Sequence, residues 1–364
     1  MAALVQDALE YATAQAQQAL AALGSTDTTP QEDKEVTVWM DGAFDVMHFG
    51  HANAFRQGRK LGTRLVVGVN SSDTIQQAKG APPVLTDAER CAAVKACKFV
   101  DAVVPHVPYV MDEAYVRDLL ENKGIDYIVH GDDPCIVDGK DVYQAAKDLG
   151  RYKTIPRTEG VSTTDLVGRL LLVDGGDEAL EKKSRAFLGT ARTLRDFSSS
   201  CRGPRANERV VYVAGAWDLF HPGHSAFLGK CKSQGDYLLV GVHGDAVVEE
   251  RRGKLPLMNL QERVLSVLAC RHVDDVVIDA PQDVTQELLA TFRVAVVCRG
   301  AQADAVQFRL CGDRVRNVAS PSTLNSAALA GRVRGRREQL LARHRKKAAA
   351  EADWYAGKDA QRTA

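Results

Sequence analysis

Residues 45–55 read DVMHFGHANAF, shortly after the apolar run VTVWM, and place His48 and His51 on either side of a glycine. The stretch WDLFHPGHSAF, residues 217–227, repeats this pattern, with His221 in the place of His48. Self-similarity at a fixed spacing is typical of a duplicated structural unit. The histidine stretch therefore indicates one folding unit that the chain uses twice.

The repeat extends beyond the histidines. The same offset that carries His48 onto His221 carries GAFD onto GAWD, LVVGV onto LLVGV, and ER at 89–90 onto ER at 262–263. We expect this register to hold as far as Asp101 and its counterpart Asp274. Afterwards the spacing should drift by a few residues, as a shortened surface loop would cause. The sequence thus predicts a fused tandem duplication.

Within the first copy, short β-branched runs alternate with stretches of helical periodicity. Strands and helices that alternate along the chain form βαβ units and a parallel sheet covered by helices. The expected fold class is α/β, with two tandem Rossmann-like, doubly wound parallel-sheet domains. In such sheets ligands bind beyond the carboxyl ends of the strands. The strand candidates are VTVWM, RLVVGV, FVDAVV and IDYIV, and the helix candidates are residues 51–61, 87–97, 112–121 and 141–149.

The composition divides the chain into five segments. The stretch 174–208 is rich in Ser, Gly, Pro and charged residues, which is typical of a helix followed by a flexible linker. The last segment is basic, and we interpret it as a solvated helix, with a lipid-binding or regulatory role as the alternative. The expected segments are an N-terminal helical extension (1–35), a first domain with the complete motifs (36–173), the helix and linker (174–208), a second, degenerate domain (209–330) and a basic C-terminal helix (331–364).

Charge and cysteine content exclude several classes of protein. Of the 364 residues, 47 are Lys or Arg and 47 are Asp or Glu, so no overall field attracts nucleic acid or anionic lipid. The eight cysteines form no Cys-x-x-Cys motif, and we find neither a signal peptide nor an apolar run near the roughly 18 residues of a spanning helix. These features predict a cytoplasmic protein with reduced thiols and small-molecule substrates, while peripheral membrane contact and a homodimer stay open.

Three interpretations compete for His48 and His51. A zinc site needs further Cys or His ligands at suitable spacing, and the sequence offers none nearby. In the second interpretation, both histidines are structural and make their hydrogen bonds within the fold. In the third, Gly50 lets an anion approach the backbone, the N-terminus of the following helix contributes N–H groups, and the imidazoles add donors. The repetition favours a phosphate site.

Other parts of the first copy could serve the same anion. Lys79 lies in AKGAPPVL, which is too rich in Gly and Pro for regular structure and predicts a loop that swings onto a phosphate. Arg90 follows Thr86, a candidate N-cap with Glu89 as its capping-box partner, and so lies in the first turns of a helix. The alternative for Lys79 is an ordinary surface lysine, and the alternative for Arg90 is an ion pair on the helix surface.

The stretch RTEGVSTTDLVGRLLL, starting at Arg157, predicts a second phosphate cradle. Arg157 and Thr158 precede a glycine turn, and Ser162, Thr163 and Thr164 follow it at the start of an amphipathic helix. A helix cap needs only one hydroxyl, so the others are left for a ligand. Ser162 as a plain N-cap is the alternative.

HFGH together with RTEGVSTT resembles the paired HxGH and RTxGxSTT motifs of the nucleotidyltransferase superfamily, in its cytidylyltransferase branch. The duplication, HGDD at 130–133, and GRY ahead of RTEGVSTTDLVGR are similar in particular to the tandem members that use phosphoethanolamine. The resemblance covers roughly residues 36–330 and implies the nucleotidyltransferase fold. It also implies the reaction of CTP with phosphoethanolamine to give CDP-ethanolamine and pyrophosphate, with Mg²⁺, as a step of phosphatidylethanolamine synthesis.

The resemblance assigns roles to the candidate residues. A phosphomonoester is already an anion at neutral pH, since its second pKa is about 6, so the reaction needs no general base. We expect His48, His51 and Lys79 to be catalytic, the histidines donating to the CTP phosphates and the lysine bridging nucleophile and α-phosphate. Asp132 and Asp133 are candidates for the substrate ammonium, or else turn formers. The expected nucleotide and phosphate contacts are Gly42, Phe44, Asp45, Gly50, Arg90, Arg157, Thr158, Ser162 and Thr163, and no residue is assigned to a metal.

The second copy keeps only part of this set. His221, His224 and Arg263 persist, but Arg252 stands where the first copy has Lys79. The run VRNVASPSTLNSAAL also has no Arg-Thr-x-Gly ahead of its hydroxyls. We expect the first copy to turn over, and the second to be a nucleotide-site remnant, an interface or part of a shared cleft.

Other functions fit parts of the same pattern. Phosphocholine is the alternative substrate, and its trimethylammonium would favour an aromatic cage over a carboxylate. An HxGH enzyme that uses ATP needs no such duplication, and a class I aminoacyl-tRNA synthetase would show a lysine-rich second motif and a basic RNA-binding face. A nucleotide sensor without catalysis is the more distant alternative, suggested by the eroded second copy.

Overall fold

The first copy folds around a parallel sheet of five strands. The computed structural model describes residues 35–133, 135–137, 140–158, 160–173, 189–301, 305–343 and 345. The strands are β1 (Thr37–Gly42), β2 (Arg64–Asn70), β3 (Ala102–Val107), β4 (Tyr127–Gly131) and β7 (Tyr152–Ile155), with a short antiparallel hairpin of β5 (Ile136–Val137) and β6 (Lys140–Asp141). The helices are α1 (Phe49–Arg59), α2 (Ser72–Lys79), α3 (Asp87–Lys95), α4 (Glu113–Arg117), α5 (Gln144–Asp148) and α6 (Thr163–Val173). The order of the strands in the sheet is β3-β2-β1-β4-β7.

The central strand β1 is buried on both of its faces. Val38 and Met40 pack into one apolar cluster and Trp39 into another, as the alternation of side chains along a strand requires. A sheet covered on both sides explains the nearly continuous apolar runs of the sequence. The strand order reverses between β1 and β4, so the carboxyl ends of these two strands border the crevice where ligands of such sheets bind.

The second copy repeats this architecture. Its strands are β8 (Val210–Gly215), β9 (Tyr237–His243), β10 (Asp275–Ala280), β11 (Val294–Gly300) and β12 (Val315–Val318), and its helices are α8 (Pro222–Lys232), α9 (Asp245–Arg252), α10 (Leu260–Leu268), α11 (Gln286–Thr291) and α12 (Ser326–Gly335). The strand order is β10-β9-β8-β11-β12. Val38 pairs with Leu65, and the equivalent Val211 pairs with Leu238. The predicted duplication and the α/β fold class with two parallel Rossmann-like sheets are therefore confirmed.

The register between the copies holds slightly further than the sequence indicated. Strands β3 and β10 still lie at the offset that relates His48 to His221, beyond Asp101 and Asp274. The spacing shortens only before the next strand, where Ile128 and Val297 occupy equivalent positions beside the central strands. The lost residues therefore belong to a connection on the surface, and the sheet itself is unchanged.

The segment around Lys79 differs from the expectation. Lys79 is the last residue of α2, so its assignment to an irregular loop is wrong. Gly80 adopts a φ of +76° and closes the helix as a left-handed C-cap, which explains why a helix ends in a stretch rich in Gly and Pro.

Parts of the expected terminal and linker segments lie outside the described residues, namely 1–34, 174–188, 344 and 346–364. Within the expected helix and linker, the described part contains α7 (Ala191–Phe197). The helix α12 begins at Ser326, ahead of the boundary expected for the basic C-terminal helix. None of the helices in the described part of the chain is long and apolar enough to cross a membrane.

Equivalent residues meet where the two copies pack together. Cys97 and Cys270 pair in an isolated antiparallel bridge, flanked by two backbone hydrogen bonds of 2.9 Å between the copies. A cavity of about 30 Å³ beside this bridge is lined by both copies, with His48 and His221 in its wall. The copies thus present the same surface to each other, as the subunits of a two-fold symmetric dimer do.

A second apolar cluster joins the copies through their last helices. Leu166 and Leu170 of α6 pack in one cluster with Leu329 and Val333 of α12. The loops that follow β1 and β8 also contribute a residue each to this cluster. The final helix of each copy therefore lies at the boundary with the other copy, close to the loop that carries its histidine motif.

Candidate active site

The loop that leads from β1 to α1 has an unusual backbone. Phe44 and Val46 have φ values of +46° and +44°, and the equivalent Trp217 and Leu219 of the second copy have +54° and +50°. A β-branched residue at positive φ is an outlier, and such strain persists only where surrounding contacts enforce it. The same strained turn therefore presents the histidine motif in both copies.

Asp45 and Arg90 hold this loop in place. The Asp45 carboxylate accepts hydrogen bonds from the backbone N–H groups of Val84 (2.8 Å) and Leu85 (2.9 Å), and burial raises the pKa of this carboxyl group. The fully buried Arg90 donates to the carbonyl of Ala43 at 2.7 Å and also pairs with a neighbouring aspartate. In this conformation both side chains are hydrogen-bonded to other groups of the protein. Their geometry therefore supports a role in holding the loop in position.

His48 and His51 stand side by side at the start of α1, with ring centroids 4.0 Å apart. Nδ1 of His48 accepts from the N–H of Gly50 at 3.1 Å, and Nδ1 of His51 accepts from the N–H of His48 at 3.3 Å. Because both Nδ1 atoms accept, the proton of each neutral ring lies on Nε2. The backbone thus fixes the tautomer in which Nε2 is the donor, as a phosphate ligand would require.

The two glycines of this segment are used for packing. A Cβ atom at Gly50 would lie 2.8 Å from Val161 and 2.9 Å from the His48 ring, and one at Gly42 would lie 3.0 Å from the Phe44 ring. Gly50 was expected to let a ligand approach, whereas in the structure the Val161 side chain and the His48 ring occupy this space. Gly50 is therefore required for the close packing of α1 against the segment before α6.

The RTEGVSTT segment lies directly against the histidine motif. The side chain of Asn53 in α1 donates to Thr158 Oγ1 at 2.9 Å, and Thr163 Oγ1 donates to the carbonyl of Asp45 at 3.0 Å. Gly160, with a φ of +78°, makes the turn between these two contacts. The fold thus brings together two motifs that are far apart in the chain.

The hydroxyls at the start of α6 have local partners. Ser162 Oγ accepts from the N–H of Asp165 at 3.0 Å, as an N-cap does, and donates to the Asp165 carboxylate at 2.6 Å. The plain cap that the sequence left as an alternative is therefore present. The helix N-terminus beside the histidine pair still presents N–H groups and a positive dipole end, which suit a phosphate.

Lys79 lies beside an aromatic ring and Arg157 beside a carboxylate. The Lys79 ammonium lies 5.0 Å from the centroid of the Tyr109 ring. Arg157 is exposed, with a guanidinium nitrogen 3.7 Å from the Asp133 carboxylate. Asp132 accepts from the backbone N–H of Arg157 at 3.0 Å and so ties the segment after β4 to the segment after β7.

Asp41 is a candidate functional residue that the sequence analysis missed. It lies near the carboxyl end of β1, is 6 % exposed, and has both carboxylate oxygens 3.4 Å from the Tyr143 hydroxyl. Burial raises the pKa of Asp41 to about 7, and the groups that oppose this shift are neutral hydrogen-bond donors such as Asn70 and Tyr143. A buried carboxylate beside a ligand crevice, with only neutral groups among those donors, is a candidate site for a ligand cation. The repeat held a signal, because the second copy has Ala214 at this position.

Aromatic and imidazole rings surround this carboxylate. The ring of His130 lies 4.6 Å from the ring of Tyr143, and burial lowers the pKa of His130. Burial raises the pKa of the Tyr109 hydroxyl, and the nearby charge of Asp41 raises it further. Asp41, Lys79 and His130 thus belong to one corner of the crevice, at the carboxyl ends of β1 and β4.

The second copy preserves the scaffold of the loop. Arg263 donates to the carbonyl of Ala216 at 2.6 Å, and Asp218 accepts from two backbone N–H groups at 2.9 Å, as Arg90 and Asp45 do in the first copy. His224 Nδ1 accepts from the N–H of His221 at 3.4 Å, and burial lowers the pKa of His221 to about 4.

The residues that face the crevice differ between the copies. Ser326 Oγ donates to the carbonyl of Asp218 at 3.0 Å, which makes it the equivalent of Thr163 and places Ser320 at the position of Arg157. Strand pairing likewise places Arg299 at the position of His130. The first-copy residues Asp41, Lys79, His130 and Arg157 are thus replaced by Ala214, Arg252, Arg299 and Ser320.

No group of three or more His, Cys, Asp or Glu side chains within the described ranges could hold a metal ion. The site combines hydrogen-bond donors, two histidines, a lysine and the buried carboxylate of Asp41. Such a set can hold a polyphosphate and a second, positively charged molecule next to each other.

Comparison with known proteins agrees with this arrangement. The cytidylyltransferase-like family model matches residues 39–169 and 212–325. The chain is 42% identical to ethanolamine-phosphate cytidylyltransferase of Arabidopsis thaliana over 363 residues, covering 88% of this chain and 86% of the relative, and 41% identical to that of Dictyostelium discoideum, covering 89% and 98%. Choline-phosphate cytidylyltransferase of Saccharomyces cerevisiae is 37% identical over 145 residues, which cover 39% of this chain and 33% of the relative. A family model that covers both sheets and relatives that align along most of the chain show that it belongs to the cytidylyltransferase-like family of nucleotidyltransferases.

Proposed function

We propose that the first copy transfers the cytidylyl group of CTP to phosphoethanolamine, giving CDP-ethanolamine and pyrophosphate for phosphatidylethanolamine synthesis. The observation that carries this proposal is the buried carboxylate of Asp41 next to a crevice lined by groups that suit a phosphate. The relatives that align along most of the chain are named for the same substrate, whereas the choline-phosphate relative covers a smaller part of it.

The chemistry requires two anions to be brought into line. A phosphate oxygen of phosphoethanolamine attacks the α-phosphorus of CTP, and the bond from that phosphorus to the oxygen bridging to the β-phosphate breaks, releasing pyrophosphate. The nucleophile is ionised at neutral pH, so no proton has to be removed. Catalysis then depends on neutralising charge on the α-phosphate and on the leaving group.

The geometry supplies donors for this task. His48 and His51 carry their protons on Nε2, because backbone N–H groups occupy their Nδ1 atoms. The N-terminus of α6 lies against the same loop through the contact of Thr163 with Asp45. We assign the histidines and this helix terminus to the triphosphate, and Lys79 to the contact between the nucleophile and the α-phosphate.

Selection of the amine depends on Asp41. A primary ammonium has three N–H donors and is suited to a carboxylate that accepts them, with Tyr143 and His130 closing the site around it. Phosphocholine is the second candidate, because the tyrosine rings near Asp41 could also face a trimethylammonium. Asp133, which lies beside Arg157, stays a candidate for the same amine.

We also propose that Mg²⁺ enters with CTP. Mg²⁺ keeps several of its waters and binds mainly through substrate phosphates in such enzymes, so it needs no cage of protein side chains. It would add positive charge next to the triphosphate, while the residues of this chain orient the two substrates.

The test is release of pyrophosphate by the purified full-length chain. We expect turnover with CTP and phosphoethanolamine, a clearly lower kcat/KM with phosphocholine, and none with ATP in place of CTP. A preference for phosphocholine would move the assignment to the second candidate. Turnover with ATP, or none with any pair, would refute the proposed function.

A further inference from the structure

The last helix of the second copy reaches the loop that follows Lys79 in the first copy. Arg332 of α12 donates two hydrogen bonds to the carboxylate of Glu89, over 2.6 and 2.9 Å. Arg336 donates to the carbonyl of Pro83 at 2.7 Å. Pro83 lies in the segment that connects α2 to α3 and Glu89 in the first turn of α3, so this connection is held by residues about 250 positions away in the chain.

Glu89 is itself part of the structure of this connection. Its carboxylate accepts from the N–H of Thr86 at 2.9 Å and so completes the capping box of α3. The hydrogen bonds from Arg332 are the main reason why the pKa of Glu89 is lowered. Arg332 therefore fixes the residue that caps the start of α3, at the end of the connecting loop.

The loop has a second anchor within its own copy. Asp45, in the strained histidine loop, accepts from the N–H groups of Val84 and Leu85, and both of these side chains are buried in the cluster that joins α6 and α12. Residues 80–86 are thus held between the histidine loop on one side and α12 of the second copy on the other. Lys79 immediately precedes them.

The first copy makes the equivalent contact with the second. Arg169 of α6 donates to the carboxylate of Glu262 at 2.8 and 3.0 Å and to the carbonyl of Leu257 at 3.2 Å, at the same place in the second copy. Each copy therefore holds the equivalent loop of the other. Only the loop of the first copy follows a lysine and borders a crevice with Asp41, since the second copy has Arg252 and Ala214 at these positions.

We propose that Arg332 and Arg336 of the second copy are positioning residues for the active site of the first copy. They hold the segment 80–86, and with it the end of α2, so that the Lys79 ammonium stays next to Tyr109 at the site of nucleotidyl transfer. The inference rests on the proposed function and extends it. In this way the second copy contributes to catalysis through its last helix.

The test compares the double variant Arg332→Ala/Arg336→Ala with the wild type in the full-length chain. A lysine misplaced by about 1 Å costs up to roughly 100-fold in rate, so we expect kcat to fall by about 10-fold or more, with the KM for CTP changed by less than about 3-fold. Arg337→Ala removes an exposed arginine that follows the same helix and should keep the wild-type kcat. Val284→Ala, in the core of the second copy away from α12, controls for a general loss of stability and should also keep it.

A double-mutant cycle separates positioning from a structural effect. If the arginines act through Lys79, adding Arg332→Ala/Arg336→Ala to a Lys79→Ala variant should lower kcat by less than about 2-fold further. Hydrogen exchange gives a readout without turnover, because the amides of Val84 and Leu85 should exchange faster in the arginine variant and at the wild-type rate in Arg337→Ala.

Three results would overturn the inference: wild-type kcat in the double variant, additive losses in the cycle, or an equal loss in Val284→Ala. These outcomes differ from failure of the proposed function. In that case the wild-type chain itself would not turn over CTP and phosphoethanolamine, while faster exchange at 84–85 in the arginine variant would still show that α12 holds the loop.

Discussion

Replacing Asp41 by asparagine should stabilise the folded protein and at the same time weaken binding of the amine substrate. The pKa of Asp41 rises from 3.8 to about 7 because the carboxyl group is buried. Each tenfold change in proton affinity corresponds to about 1.4 kcal/mol. Keeping this carboxylate ionised above pH 7 therefore costs about 4 kcal/mol of the free energy of unfolding.

The direction in which stability changes with pH follows from proton binding. The folded chain binds this proton more tightly than the unfolded chain, so the contribution of Asp41 to stability becomes less favourable as the pH rises from about 4 to about 7. Above pH 7 the full cost is present, and below pH 4 it is absent. The asparagine side chain carries no charge, so the Asp41→Asn variant should gain stability over the wild type by about 2 kcal/mol at pH 5 and by about 4 kcal/mol at pH 8.

The measurement is urea unfolding of the full-length chain at both pH values, followed by tryptophan fluorescence, since Trp39 lies in the same strand. Asp313→Asn removes an exposed carboxylate of the second copy and should change stability by less than about 0.5 kcal/mol at either pH. A gain in Asp41→Asn that does not grow between pH 5 and pH 8 would refute the argument from burial.

The same variant tests recognition of the amine. Removing one member of a buried ion pair costs about 3–5 kcal/mol, so the KM for phosphoethanolamine should rise by at least about 100-fold while the KM for CTP stays within about 2-fold. In the wild type, this KM should also rise as the pH falls below 7, because a proton then competes with the ammonium. An unchanged KM for phosphoethanolamine in Asp41→Asn would exclude Asp41 as the ammonium ligand.

Three further predictions follow from the site. His51→Ala should lower kcat by about 100-fold, the usual effect of losing one donor to a developing charge, and a loss below about 10-fold in steady-state assays would contradict the donor role. His224→Ala should lower kcat far less, and an equal loss in the two variants would contradict the assignment of catalysis to the first copy alone. Gly50→Ala should lower both the melting temperature and kcat, because its Cβ would clash with Val161 and the His48 ring, whereas Gly168→Ala, with open space around it, should keep both at wild-type values or slightly raise the melting temperature.

The fold could be predicted because strand runs, helical periodicity and motif spacing are visible in short stretches of the chain, and the repeat shows each of them twice. The direction in which a side chain points depends on partners that are distant in the sequence. Asp45 and Arg90 have the charges of ligand-binding residues, yet both bond to backbone groups about 40 positions away, and Arg90 also pairs with Asp87. Asp41 was missed for the opposite reason, since a single acidic residue at the end of an apolar strand gives no spacing pattern, and its meaning depends on burial and on Tyr143.

The end of α2 shows a similar limit. Glycine and proline correctly indicated an interruption after Lys79, but they did not indicate on which side of the interruption the lysine lies. The contacts of Arg332 and Arg336 join positions about 250 residues apart and depend on how two folded units pack, which no local pattern records.

The reciprocal packing of α6 and α12 limits how far the two halves can diverge under selection. Ala214 and Ser320 have no such cross-copy contact to preserve, whereas Glu262 and Arg332 each meet a charged partner in the other half, so a change at either position requires a matching change in that partner. A gene shortened to its first half would leave the leucines of α6 facing water. Such a protein would have to recruit a second copy of itself to cover them, so the second half acts as a scaffold for the first.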